Sequence, residues 1–451
     1  MAHAGADEGR LEGDASGSAP RRGGRLGPSL VWSLAGQGVY AVGQWAILAL
    51  TAKLLPIESA TTVAGRLVMA LAICAPLVSL TQVELRSLLA ADHQHRVPAS
   101  TWWRARSLGN AAMFVGAVAA ALFAGEGWAL LAAVVALAGA RWIEGYLDLA
   151  YGVFQRAERH DLIARSQIVR ALSSLGAFAV LLVHYEDLAM ALFGVALAWG
   201  TVLVWVDKPA LRRLDGVGRE LPGDTGGEGE GPVALLRRAL PLGLVGALVS
   251  LTSNLPRYWI ERHFDEATLG IFGMVAYVLV GLALMNQAAR RVFLPRMARA
   301  APMASTEAAA SGHDRGTSFR SILVFALGFA ALPSVLMGVL GTLWGGPLLV
   351  LLYNPSLAEQ GPLLVWLSVA ALAAAVGGVL RDALTATGRL RSQLPAVIVA
   401  FVLTAIVAAL RVPVDPLLGG AQALITGRLA MALSYAYLLW RGTPRVDVRQ
   451  S

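Results

Sequence analysis

The sequence predicts an all-α polytopic membrane protein, with about twelve transmembrane helices in two six-helix lobes. Three observations predict it. Of the 451 residues, 56% are hydrophobic and only 15% are charged, against about 25% charged in an ordinary soluble domain. A soluble chain of this length would need a charged surface that this one lacks. The apolar residues fall in runs of about 20, the length of a helix that crosses a bilayer, not in the alternating pattern of an outer-membrane barrel strand. The cations, thirty-five Arg with Lys53 and Lys208, cluster between these runs.

Twelve runs follow in order. Residues 29–54 come after the cluster Arg21, Arg22 and Arg25, with Ser33, Gln37, Tyr40 and Gln44 as an uncharged polar stripe at helical spacing. Residues 64–90 hold Cys74 and Pro76. Residues 107–124 and 127–154 are joined by the tight turn Gly125-Glu126-Gly127, and 164–183 and 187–206 by His184-Tyr185-Glu186-Asp187. After a hydrophilic stretch, 237–260 carries Pro241 and Pro256, and 267–292 follows. Residues 320–344 contain Pro333 and stop at Gly345-Gly346-Pro347, after which a short interfacial helix fits. The last three runs are 361–387, 394–411 and 415–440. Prolines inside spans are expected kinks, common in transport folds.

The longest hydrophilic segment, 207–236, contains the glycine- and acid-rich run 223–231, which reads as a flexible cytoplasmic linker. It divides the chain into a first lobe, 29–206, and a second, 237–440. Residues 1–28 are expected to be a disordered cytoplasmic tail and 441–451 a second cytoplasmic tail. Residues 1–28 have no apolar signal-peptide core, so the first run is expected to be retained as a span. With the amino terminus inside, twenty-seven of the 37 cations fall on cytoplasmic segments, and Lys53, Arg262 and Arg411 fall outside. An even number of spans with both termini inside gives that split. Glu58 to Gly65 and Glu266 to Gly273 are weakly alike, as parallel repeats would be, and also as two helix starts would be by chance. One cysteine excludes an intrachain disulfide.

With the loop and run-edge cations set aside, seven arginines remain inside the runs: Arg66, Arg86, Arg141, Arg170, Arg257, Arg381 and Arg428. Four carboxylates accompany them: Glu84, Glu144, Asp148 and Asp382. An arginine at mid-bilayer costs about 2.5–3.5 kcal/mol on insertion scales, so these side chains are expected to face a protein interior or a wet cavity. Their surplus suits an anionic cargo. Arg141, Glu144, Asp148 and Tyr151 share one helix face; Gln167, Arg170 and Ser174 share another; Ser250, Asn254, Arg257 and Glu261 share a third. Arg86 and Arg381 lie near cytoplasmic ends, and Arg66 and Arg257 near external ends, where snorkelling is the alternative. Arg141 has Glu144 one turn away, so a structural ion pair competes with a ligand contact. Arg170 and Arg428 have no carboxylate one turn away and are the leading substrate contacts. Glu144 and Asp148 are the candidates for ion coupling. No catalytic constellation, paired cysteine, H-x-x-x-H or nucleotide loop occurs; neither a metal nor a cofactor is expected.

Several short stretches carry a resemblance. Ser33-Leu-Ala-Gly-Gln-Gly-Val-Tyr-Ala-Val-Gly-Gln-Trp45 is similar to the opening helix of bacterial Wzx-type oligosaccharide-lipid flippases, and Glu84-Leu-Arg-Ser-Leu-Leu-Ala-Ala-Asp92 to a second-span ending. Asn254-Leu-Pro-Arg-Tyr258, Leu269-Gly-Ile-Phe272 and Leu294-Pro-Arg-Met297 match best. The resemblance covers most of 29–440 and places the chain near the polysaccharide branch of the multidrug/oligosaccharidyl-lipid/polysaccharide (MOP, MATE-like) exporters. It implies a V-shaped pair of bundles and alternating access in the bacterial inner membrane. The implied cargo is a polyprenyl-pyrophosphate-linked oligosaccharide of an O-antigen, capsule or exopolysaccharide, held by cavity cations. Gln37, Gln44, Asn254 and Tyr258 would be polar cavity residues. Membrane lipids, a polysaccharide polymerase and other export machinery are the implied partners, with no nucleic acid.

The drug-exporting branch often uses a first-span aspartate, whereas 29–54 holds no carboxylate. An ion-coupled drug exporter is therefore the second reading. A membrane glycosyltransferase or polymerase is third, because the external loops are very short.

Overall fold

An apolar run in a bilayer has no water to satisfy its backbone, so it closes its own hydrogen bonds as a helix. A computed structural model describes residues 26–82, 85–92, 97–125, 127–215, 231–300, 319–389 and 393–441. The first half consists of α1 (Leu26–Leu54), α2 (Ile57–Thr81), the short α3 (Leu85–Ala91), α4 (Ala99–Ala124), α5 (Trp128–Arg156), α6 (His160–Tyr185), α7 (Leu188–Val202) and α8 (Lys208–Asp215). The second consists of α9 (Pro232–His263), α10 (Glu266–Arg299), α11 (Phe319–Leu352), α12 (Gly361–Ala386), α13 (Gln393–Arg411) and α14 (Pro416–Arg441). Among the described residues, ten helices are long and apolar enough to cross a membrane, and the bent α9 makes an eleventh. The first helix has the length, at 29 residues, but Gln37, Tyr40 and Gln44 dilute its apolar character. The chain is an all-helical, multi-pass membrane protein.

Several helix ends differ from the sequence expectation, each for a local reason. The second run breaks at 82–84, where α2 gives way to α3. Pro98 stands at the N-cap of α4, which therefore starts eight residues early and carries Arg104 and Arg106 as helical residues. The sixth run does not end at 206: a π-helical turn, Leu203–Asp207, carries α7 into α8, so the first lobe extends into the expected linker. Pro232 opens α9 at its first turn, where a missing N–H costs nothing. The helix then bends by 52° between Pro232–Pro241 and Gly243–His263, as an internal proline dictates. The ninth run continues through Gly345-Gly346-Pro347 to Leu352, with Trp344 at φ −139° and ψ 25° marking a kink. A 3-10 turn, Pro355–Gln360, then folds the chain back so closely that a Cβ on Gly345 would sit 2.7 Å from the Gly361 Cα. Residues 223–230 of the glycine-rich run, Glu84, and residues 1–25 and 442–451 of the expected tails lie outside the described residues, while 26–28 already belong to α1 and 441 to the last helix.

The two halves pack by the same scheme. In the first, α1 lies on α6, α5 on α4 and α7, and α6 on α7. In the second, α9 lies on α13, α12 on α11 and α14, and α13 on α14. With α1 counted by its length, each half has six long helices; the end at which the described chain begins is called the near end.

The halves meet along α2 with α9 and α10, and along α1 with α10. Their polar contacts gather toward the far end. Arg66 Nε pairs with the Glu266 carboxylate at 2.8 Å. Trp45 Nε1 donates to the Tyr353 hydroxyl at 2.9 Å, Asn354 Nδ2 to the Ala52 carbonyl at 3.2 Å, and Lys53 Nζ to the Leu351 carbonyl at 2.8 Å. The start of α10 is fixed by Asp265, which accepts from the Thr268 backbone N–H at 2.8 Å; these Thr268 hydrogen bonds hold its carboxyl below the usual carboxylate range.

Backbone meets backbone at this crossing: a Cβ on Gly65 would strike the Glu266 carbonyl, and one on Gly270 the Thr61 carbonyl. Gly270→Val is therefore expected to push α2 and α10 apart and to destabilise the protein by about 1–3 kcal/mol, the usual cost of overpacking. Thermal unfolding of the purified protein checks this, with Gly281→Val, at a glycine that has open space around it, as the neutral comparison.

Candidate functional site

Most of the intramembrane arginines are not free charges. Glu144, on α5, is the hub of the first lobe. Its Oε1 accepts the Tyr40 hydroxyl at 2.7 Å and stands 3.4 Å from Arg170 Nη2, and its Oε2 accepts Arg141 Nη1 at 2.5 Å. The Arg170 guanidinium lies 4.0 Å from the Tyr40 ring centroid, 4.9 Å from that of Trp199 and 5.9 Å from that of Tyr151. An arginine boxed by aromatic faces gains cation–π attraction in place of water, and only 3% of its side chain is exposed. One carboxylate thus serves two guanidiniums brought in from α5 and α6. Helical spacing shows Arg141 and Glu144 together, but not Arg170, which arrives from a neighbouring helix.

Asp148, one turn further along α5, makes a separate clamp. Its Oδ2 accepts Arg106 Nη2 at 3.1 Å, and its Oδ1 stands 3.5 Å from Arg86 Nη1. Arg106 also donates to the Gln82 carbonyl at 3.0 Å, and its side chain is fully buried. Sorting it with the cytoplasmic loop cations is corrected here: α4 begins eight residues before the expected span, so Arg106 points into the lobe. The second lobe repeats the device. Asp382 on α12 accepts Arg290 Nε at 2.5 Å and Nη2 at 2.8 Å, with Arg381 at 3.9 Å. Arg290, also sorted to a loop, lies on α10 because that helix runs to Arg299. The fork needs room, and Gly378 supplies it: a Cβ there would lie 2.8 Å from Arg290 Nη1.

Arg257 and Arg428 differ. They stand on α9 and α14, which pack against each other. Among the described residues, neither has a carboxylate within ion-pair distance. Arg257 Nη1 donates to Asn254 Oδ1 at 2.6 Å, while Asn254 donates onward to the Ser250 carbonyl at 2.9 Å. The Arg257 guanidinium lies 5.7 Å from the Tyr277 ring centroid, and its Nε is buried without a partner. Tyr277 in turn closes a small crevice of the first lobe that Gln44, Leu71, Arg141 and Trp199 line. Among the described residues these two intramembrane arginines therefore lack a carboxylate counterion, unlike those of the Glu144, Asp148 and Asp382 clusters.

The remaining sequence candidates separate by position. Arg66 is spent on Glu266 between the lobes. The Tyr258 hydroxyl donates to the Ala72 carbonyl and so fastens α9 to α2. Gln37 is partly buried on α1. Arg381 is 40% exposed, as a snorkelling side chain is. Sequence spacing also passed over Asp207, taken as the first residue of a solvated linker; it is 1% exposed, in the π-helical turn. No group of His, Cys, Asp and Glu among the described residues is arranged to hold a metal ion.

No family model matches the chain. It is 25% identical over 301 residues to the capsular polysaccharide biosynthesis protein CapF of Staphylococcus aureus, covering 66% of this chain and 72% of that one. In three dimensions it is similar to a variant of the Vibrio cholerae MATE transporter VcmN (TM-score 0.61, 15% identity, 92% of this chain and 96% of that one). It is also similar to a MOP superfamily transporter from Pyrococcus furiosus, whose binding pocket is described as reversed in polarity (TM-score 0.60, 13% identity, 91% and 94%). The fold of this chain is therefore that of the MATE/MOP transporters.

Proposed function

We propose that the chain is a flippase that moves a polyprenyl-pyrophosphate-linked oligosaccharide across the bacterial inner membrane by alternating access between its two lobes. One observation carries the proposal: Arg257 and Arg428 stand on the packed helices α9 and α14 and, among the described residues, have no carboxylate within ion-pair distance, while the other intramembrane arginines named above are at least partly balanced. Two guanidiniums without counterions on packed helices leave donors open, and a diphosphate offers both the charge and the acceptors. The likeness to CapF supports a polysaccharide cargo. The MATE/MOP fold supports rocking of two lobes, and the glycine-lined crossing of α2 and α10 supplies a contact about which they turn. In this reading the cationic pair holds the pyrophosphate and the aromatic and amide side chains of the crevice meet the sugars.

Depleting the protein is expected to make lipid-linked single repeat units accumulate on the cytoplasmic face, measured by extraction and by their accessibility to an added glycosidase in intact spheroplasts. Unchanged amount and sidedness would refute the proposal. A drug-susceptibility panel on the same strain reads out the alternative, an ion-coupled drug exporter; hypersensitivity to organic cations with normal glycolipid would establish it.

A further inference from the structure

Glu144 and Asp148, the sequence candidates for ion coupling, are each fastened by two arginines. A third carboxylate of the first lobe is not. Asp207 is 1% exposed, and among the described residues no Lys, Arg or His stands within ion-pair distance of it. The side-chain donor it has is the Ser166 hydroxyl, at 2.8 Å from Oδ2. The Ser166 oxygen is in turn 2.8 Å from the Tyr151 hydroxyl. A hydroxyl has one hydrogen. If Ser166 gives its own to Asp207, it must accept from Tyr151, so the chain runs Tyr151 to Ser166 to Asp207 with every donor aimed at the carboxylate.

The charged and titratable groups around it are few. From α6, Arg170 acts on Asp207 through space, without contact. From α5, Tyr151 presents its hydroxyl, while Arg86 of α3 and Arg170 lie 5.5 and 5.9 Å from its ring centroid. On α8, Lys208 follows Asp207 in sequence but is exposed. A buried carboxylate with one hydroxyl donor has poor support for its charge, and taking up a proton relieves it. The backbone is also irregular there: Lys208 N–H bonds to the Leu203 carbonyl, the spacing of a π turn, a feature found mostly at functional positions.

We propose that Asp207, with Ser166 and Tyr151, forms a proton-binding site of the transport cycle. A proton arriving from water bonds to a carboxylate oxygen of Asp207, and no other bond breaks. The neutral acid then donates to Ser166, which reverses to donate to Tyr151, so the hydroxyl dipole beside Arg86 and Arg170 turns over. Uptake at Asp207 is thereby felt by the two arginines that the Glu144 and Asp148 clamps hold. The site rests on the reading of the chain as a transporter, but not on the identity of its cargo.

The test is an infrared titration of the purified full-length protein in lipid across neutral pH, which follows the carboxylic acid C=O band without any cargo. The wild-type protein is expected to show a titrating band that Asp207→Asn lacks. Ser166→Ala is expected to move its midpoint by about one pH unit or more, the worth of a hydrogen bond to a charged group. A wild-type spectrum without a titrating carboxyl band, or an undiminished band in Asp207→Asn, overturns the site. If Asp207→Asn does not fold, a midpoint unmoved in Ser166→Ala overturns it instead. Failure of the glycolipid reading leaves the infrared result intact, so the two are separable.

Discussion

Glu144→Gln is expected to cost the first lobe more stability than any other isosteric change within it. The substitution keeps the shape and an acceptor for the Tyr40 hydroxyl, and removes only the charge. Arg141, 20% exposed, and Arg170, 3% exposed, are then left together without a counterion, and neither can shed its proton. Breaking a buried pair by removing one partner costs about 3–5 kcal/mol, because the stranded charge cannot return to water; here two charges are stranded by one change. Roughly a 10 °C fall in the apparent melting temperature of the purified protein follows. Pairing the substitution with Arg170→Met should recover part of the loss, since one of the stranded cations is then gone and its aromatic box is filled by an apolar side chain. The double-mutant cycle measures the coupling directly. A melting temperature unmoved by Glu144→Gln would mean that water reaches the cluster and that the aromatic box is open.

The contrast between these clusters shows where sequence reasoning stops. The helices are legible because the bilayer imposes length and apolarity, and both are written locally. The Arg141–Glu144 pair is legible because it closes within one turn. Arg170 is not: its counterion lies on another helix, and only the packing of α6 against α1 and α7 brings it over Tyr40 and Trp199. The same limit hides the Arg290–Asp382 fork. Arg106 and Asp207 were missed for a different reason. Both stand at the ends of apolar runs, where a polar residue reads as the first one in water, while in the fold the helix goes on and the neighbouring helices cover it. Pro98 at the N-cap of α4 was the available signal for Arg106. Nothing local announces the π turn that buries Asp207.

Arg428 is the residue whose change should separate function from fold most cleanly. It has no ion pair among the described residues, so its removal strands no carboxylate, and it relieves repulsion with Arg257. Arg428→Gln is therefore expected to leave insertion and melting temperature equal to, or slightly above, those of the unaltered protein. Export should fall by about 10- to 100-fold, the loss of one charge-assisted contact of roughly 1.5–3 kcal/mol to the diphosphate. Arg428→Lys should recover only part, because an ammonium keeps the charge but not the planar two-pronged donor set. A structural arginine would behave in the opposite way, with stability lost first and export falling in proportion to the protein that remains. Measuring glycolipid export per inserted molecule, beside the melting temperature, distinguishes the two; undiminished export from Arg428→Gln would remove the cationic pair from the path of the cargo.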